Sequence, residues 1–174
     1  MNQNLVKVNK KKIEVLIELR YSTSNNFTNE KVYKSKECFI HYIAYEHLDL
    51  AVKIAKKQNL LIKIFDAYRP VYVQKKLWDC LPDSNFIAPP DKGSPHSRGV
   101  AIDLTLTDLD GNELDMGTGF DEFSRLSYHG CLDISEESYK NRLILLGIMT
   151  DAGWDFLEMN GGSINFLIQK NFQL

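Results

Sequence analysis

The run Ser94-Pro95-His96-Ser97-Arg98-Gly99-Val100-Ala101-Ile102-Asp103 places an imidazole and a carboxylate on either side of a glycine. From Val100 the chain reads Val-Ala-Ile-Asp-Leu-Thr-Leu, a buried strand in which Asp103 is the one charged residue. A carboxylate in such a strand needs a cation, because an unpaired buried charge costs several kcal/mol or more. One His and one Asp on adjoining backbone make half or more of a catalytic zinc site, where three protein ligands leave one position for water. The competing arrangement is a His–Asp pair that ties a loop to a strand, or an acid neutralised by the adjacent Arg98. The spacing leaves both open.

A second candidate is Arg69. It follows the apolar run Leu60 to Phe65 and precedes Pro70, which biases it to extended backbone and restricts where its guanidinium points. Such a group can stabilise an oxyanion, or it can simply pair with Asp66. Tyr68 reads as a packing residue. Ser94 could hold a substrate carboxylate or cap the turn. His41 and His47 fall on an amphipathic stretch and read as packing, while His129, the only histidine after Asp103, is kept as a further metal candidate.

These residues need elements to hold them. Ile13 to Arg20 and Leu60 to Phe65 read as strands, and His41 to Lys57 has a helical apolar period that stops at Asn59. Val71 to Trp78 reads as a helix opened by Pro70, and the proline-rich stretch from Pro82 to Gly93 as a loop. Asp108 to Asn112 carries an Asp-Gly hairpin turn after the Val100 strand. Ser135-Glu136-Glu137 caps a last helix, with Tyr139, Leu143, Leu146 and Met149 at helical spacing up to Gly153. This order predicts an α+β fold with helices packed on a small, largely antiparallel sheet.

With 174 residues, 44% hydrophobic and 25% charged, the chain reads as one domain (1–174) with an adequate core. A net charge of -2 argues against a nucleic-acid partner, and the basic run Lys7 to Lys12 reads as a solvated arm. No apolar run approaches the roughly 20 residues of a membrane span, and the N-terminus lacks a signal-peptide core. Cys38, Cys80 and Cys131 are an odd, scattered set that fits reduced thiols, hence the cytoplasm.

The run from Ser94 to Leu106 closely resembles the S-x-H-x-x-G-x-A-x-D zinc motif of D-alanyl-D-alanine dipeptidases of the vancomycin-resistance type. Further stretches share the resemblance: Leu19 to Thr28 is similar to D-L-R-Y-A-T-x-x-N-F, Asp66 to Pro70 to D-[AG]-Y-R-P, and Leu114 to Asp121 to L-D-M-G-T-x-F-D. It spans roughly residues 13–156. The family's fold is the small α+β zinc-peptidase domain shared with D-Ala-D-Ala carboxypeptidases and hedgehog signalling domains. The resemblance implies a Zn2+ cofactor with His96 and Asp103 as two ligands, and Arg69 as the oxyanion stabiliser. It further implies Ser94 on the carboxylate of a small D,D-dipeptide and Asp121 on its ammonium. The implied reaction is hydrolysis of D-Ala-D-Ala, a step in cell-wall precursor turnover, by metal-activated water.

The resemblance breaks at the C-terminus. The family ends its site with E-W-W-H, a general base and a third zinc ligand, whereas this chain reads Leu157-Glu158-Met159-Asn160-Gly161-Gly162-Ser163 and has no histidine after His129. Glu158 is the candidate base, and residues 157–174 form an atypical tail. With suitable silent bases, the codons of Met159 to Phe166 read in a shifted frame as Glu-Trp-Trp-Phe-His-Gln-Phe, which points to a frameshifted 3′ end. Two ligands plus solvent make a poor zinc site, so weakened metal affinity and little hydrolysis are expected unless His129, Glu158 or a partner chain adds a ligand. The alternative reading is an inactive relative that binds the dipeptide or a partner without cleaving. Sequencing the gene tests the frameshift: Glu-Trp-Trp codons lie in the shifted frame under Met159, and their absence there ends the idea.

Overall fold

The computed structural model describes residues 4–156 and 164–168. In chain order its elements are β1 (Leu5–Lys7), β2 (Val15–Ile17), β3 (Phe39–His41), α1 (Tyr42–Lys56), β4 (Leu61–Asp66) and α2 (Val71–Cys80). They continue with α3 (Pro95–Arg98), β5 (Ala101–Thr107), α4 (Glu136–Asp151), β6 (Asp155–Phe156) and β7 (Ile164–Leu167). Among the described residues the main sheet has the order β2-β4-β5-β7-β6, with only the β2/β4 pair parallel. The α+β expectation and the largely antiparallel sheet both stand.

The sheet is built on β4 and β5, where Ile62 and Ile64 lie opposite Leu106 and Leu104. All four are buried, as are the alternate β5 residues Ala101, Asp103 and Thr105. Both faces of β5 are therefore covered, which explains its nearly unbroken apolar sequence. A register shift between Ile64 and Asp66 brings Asp66 opposite Asp103, so two carboxylates share one row of the sheet. Asn165 of β7 is the backbone partner of Asp103 on the other side.

α1 lays Ala44, Leu48, Ala51, Val52 and Ala55 into the core and packs against β4 and α4. It starts one residue later than its apolar period suggests. His41 ends β3 and caps α1, its Nδ1 accepting from the amide of Ile43. The Ser135 cap of α4 is as expected, its hydroxyl accepting from the Ser138 amide at 3.0 Å. The inward face of α4 differs from the apolar period: Leu143 is 48% exposed, while Ser138, Asn141 and Arg142 are buried beside Leu145, Ile148 and Met149. Polar side chains face inward there because they bond to the neighbouring segment 115–128.

Three features lie outside the expected elements: the β1/β3 pair, the four-residue helix α3, and the β6/β7 pair. Strands of two to four residues carry too little sequence to show a period. β7 lies between β5 and β6 rather than at an edge; its Phe166 and Leu167 are buried, as is Ile168 just after it. The described part of the atypical tail thus links β5 to β6 in the sheet. Phe166→Ala should cost about 3–5 kcal/mol in a urea denaturation, the range for a fully buried aromatic. A loss below about 1 kcal/mol would place β7 outside the core.

Candidate metal centre and active site

Short-range geometry fixes His96. Ser94 caps α3, its hydroxyl accepting from the His96 amide at 3.2 Å, and Pro95 occupies the first helical turn. Gly99 ends the helix with φ +74, where a Cβ would meet the backbone nitrogen of His41 at 2.9 Å. The carbonyl of His96 accepts from the Arg69 amide at 3.0 Å, which locks α3 to the end of β4.

The imidazole Nδ1 lies 2.8 Å from the carbonyl of Ala67. A carbonyl only accepts, so Nδ1 carries a proton, and in the neutral ring Nε2 presents a lone pair. That Nε2 lies 3.4 Å from Oδ1 of Asp103, a buried oxygen with no hydrogen-bond partner. Two ligands about 2.0–2.1 Å from a tetrahedral zinc sit roughly 3.3–3.4 Å apart, so this pair has the separation of atoms sharing one ion. The Nδ1 bond to a backbone carbonyl is the usual support of a metal-bound imidazole.

Asp66 is the third residue whose donor atoms gather here, all within 4.8 Å of one another. Its oxygens are already engaged. Oδ1 accepts from the Tyr33 hydroxyl, and Oδ2 accepts from Arg69 Nε at 2.8 Å and faces Nη2 at 2.7 Å. Arg69 Nη1 donates to Gln74 Oε1 at 3.0 Å, Nη2 stands 3.5 Å from Asp103 Oδ2, and the guanidinium lies over the Tyr21 ring. Of the two roles weighed for Arg69, the pairing with Asp66 is therefore observed, and the same guanidinium also faces the His96–Asp103 pair. Its position beside two carboxylates holds it protonated against the pull of burial.

Asp121 joins this group through Tyr21, whose hydroxyl donates to its Oδ1 at 3.0 Å, while the Phe27 amide donates to Oδ2 at 3.2 Å. Asp121 borders a cleft also lined by Arg20, Asn26, Phe27 and Phe120. Burial raises its carboxyl to about 7, against the lowering effect of the Phe27 and Tyr21 hydrogen bonds. A carboxyl under that strain gains from a cation in the cleft.

The structure thus brings His96, Asp103, Arg69 and Ser94 together, with Asp121 one side chain away. His129 is not in the metal-ligating group found among the described residues; it packs on Phe156 with both ring nitrogens unbonded. Glu158 lies outside the described residues. The supporting roles of Tyr21, Tyr33 and Gln74 escape the sequence reading, which named Asp66 as a possible partner of Arg69. Tyr21 and Asp66 sit inside the quoted motifs, whereas Tyr33 and Gln74 carry no local signal.

A peptidase family model described as D-Ala-D-Ala dipeptidase matches residues 1–160. The chain belongs to this family. The D-alanyl-D-alanine dipeptidase of Escherichia coli (strain K12) is 41% identical over 138 residues, covering 79% of this chain and 72% of that protein. The D-alanyl-D-alanine dipeptidase of Enterococcus faecium is 32% identical over 162 residues, with 79% of each chain covered.

The raised Asp121 carboxyl has a consequence for stability. Its folded value of about 7 lies above the ordinary 3.8, so between these pH values the native state binds more protons than the unfolded state. Stability contributed by the protonated carboxyl is present below the lower value and is lost as pH rises through the upper one. Melting temperatures recorded from pH 4.5 to 7.5 should show this loss (about the window set by the two values), and Asp121→Asn should flatten the slope. Asn also tolerates the φ of 59 found at this position. Parallel profiles for the two proteins would contradict the assignment.

Proposed function

We propose that the chain hydrolyses the dipeptide D-Ala-D-Ala with the help of a zinc ion held by His96 and Asp103. One observation carries the reading: the buried, unbonded Oδ1 of Asp103 faces Nε2 of His96 at 3.4 Å. Zinc, when bound, lowers the pKa of a coordinated water and polarises the peptide carbonyl. The protein's side chains do the rest. Arg69, held by Asp66 and Gln74, directs its guanidinium toward the oxygen that becomes negative. Ser94 keeps its hydroxyl hydrogen available for the substrate carboxylate while its oxygen caps α3. Asp121 binds the ammonium group, so the two ends of a dipeptide are read separately. The general base is assigned to Glu158. The reaction belongs to the cytoplasm, the compartment expected from the cysteine usage; among the described residues no helix is long and apolar enough to cross a membrane.

With Asp66 engaged by Arg69 and Tyr33, two protein ligands fit the ion well and a third is not supplied by the described residues. Zinc affinity therefore falls below that of a three-ligand centre. A second reading, a protein that binds the dipeptide without cleaving it, is favoured by the absence of any histidine after His129 and by a family match that stops at residue 160.

Alanine release from D-Ala-D-Ala, followed during zinc titration, separates the two. Turnover that rises with added zinc and is lost on chelation supports the dipeptidase. Dipeptide binding without turnover at saturating zinc supports the second reading, and neither binding nor turnover overturns both. Arg69→Lys should lower turnover by about 100-fold or more, the scale for losing an oxyanion donor. It is a better probe than Arg69→Ala, which leaves Asp66 buried without its partner and costs about 3–5 kcal/mol of stability.

A further inference from the structure

Among the described residues, Arg142 is the largest charged side chain that is fully buried, at 1% exposure. Its bonds go to neutral oxygens of one segment. Nε donates to the Met116 carbonyl at 2.7 Å and Nη1 to the Tyr128 carbonyl at 2.8 Å. Nη2 donates to the Leu126 carbonyl at 2.9 Å and to Thr118 Oγ1 at 3.2 Å. Two more residues on the same face of α4 hold the start of this segment. Ser138 donates to Asp115 Oδ2 at 2.7 Å, and Asn141 donates to the Asp115 carbonyl at 2.9 Å.

The segment is gripped at both ends, at 115–118 and at 126–128. Between the grips stands Asp121, at φ 59, aimed at the Tyr21 hydroxyl and the Phe27 amide. The rings beside it are packed, Phe120 on Tyr21 and Phe65 and Phe123 on Phe27 and Phe86, but the backbone of that stretch has one short 3-10 turn at Arg125–Ser127 and no strand pairing. Releasing the segment would strand a buried guanidinium without acceptors, so the order of the segment and the placement of Arg142 are coupled.

We propose that Arg142 is a positioning residue: by clamping residues 116–128 to α4 it sets the Asp121 carboxylate where the ammonium group of a dipeptide is bound. The inference rests on the reading of Asp121 as the ammonium anchor, and its test separates the two. The full chain with zinc is titrated by calorimetry with D-Ala-D-Ala and with N-acetyl-D-Ala-D-Ala, which lacks the ammonium. Arg142→Lys should weaken D-Ala-D-Ala by about tenfold or more, the worth of a charge-assisted contact. It should leave the acetylated dipeptide unchanged, and combining it with Asp121→Asn should add nothing.

Amide exchange reports the clamp without ligand. In Arg142→Lys the amides of 117–131 should exchange faster while those of β5 and α1 keep their protection. Equal weakening of both dipeptides, additive losses, or wild-type exchange in 117–131 would overturn the proposal. If the unsubstituted protein binds neither dipeptide, the anchor reading fails, and the exchange pattern alone decides the clamp. Should Arg142→Lys fail to fold, Ser138→Ala, which loosens only the Asp115 end, should shift both readouts in the same direction by less.

Discussion

Two carboxylates with almost no access to water, Asp66 and Asp103, lie side by side in the middle of the sheet and face a single guanidinium. Charge in such a place must be balanced, because its desolvation costs more than any one surface contact can return. Arg69 answers Asp66 at close range and Asp103 only at 3.5 Å, leaving one carboxylate oxygen without a partner. His96 stands against that oxygen. Burial pushes its imidazole down, but the Asp103 and Asp66 carboxylates together hold it above its ordinary value. A proton on Nε2 and a divalent cation are two ways of meeting the same need, and metal binding would exchange one for the other.

The surrounding structure serves this balance. The register shift in β4 turns Asp66 into the row of Asp103, and the capped, glycine-ended α3 brings His96 over the sheet. Tyr33 and Gln74 then fix Asp66 and Arg69, and Gln74 also donates to the Ala88 carbonyl, tying in the proline-rich loop. The C-terminal strand covers the far side of β5. Its contribution is to packing, and the sheet is complete although the family's closing ligand motif is missing from the sequence.

What could be read from sequence was local. His96 and Asp103 announce themselves because a charged residue in an apolar strand and a nearby histidine are visible in one short run. Ser135 and Pro70 mark helix starts for the same reason. Around Arg69, the facing of Asp103 depends on strand register and Tyr33 reaches Asp66 from a distant part of the chain, while Gln74, though close in sequence, carries no local signal. Tyr21 and Asp121 lie 100 residues apart and meet only in the fold. α4 was legible as a helix but not in its facing, since buried Ser138, Asn141 and Arg142 defeat an apolar count. β7 falls in the stretch read only as an atypical tail, and its insertion between β5 and β6 follows from pairing that no local pattern records.

The proposed chemistry needs one ion shared by an imidazole nitrogen and a carboxylate oxygen. Anomalous diffraction at the zinc edge, from crystals soaked in zinc, addresses this without reference to activity. The account predicts a single strong peak within about 2.0–2.2 Å of both His96 Nε2 and Asp103 Oδ1. Zinc bound only elsewhere, with those two atoms still facing each other and no peak between them, would contradict it.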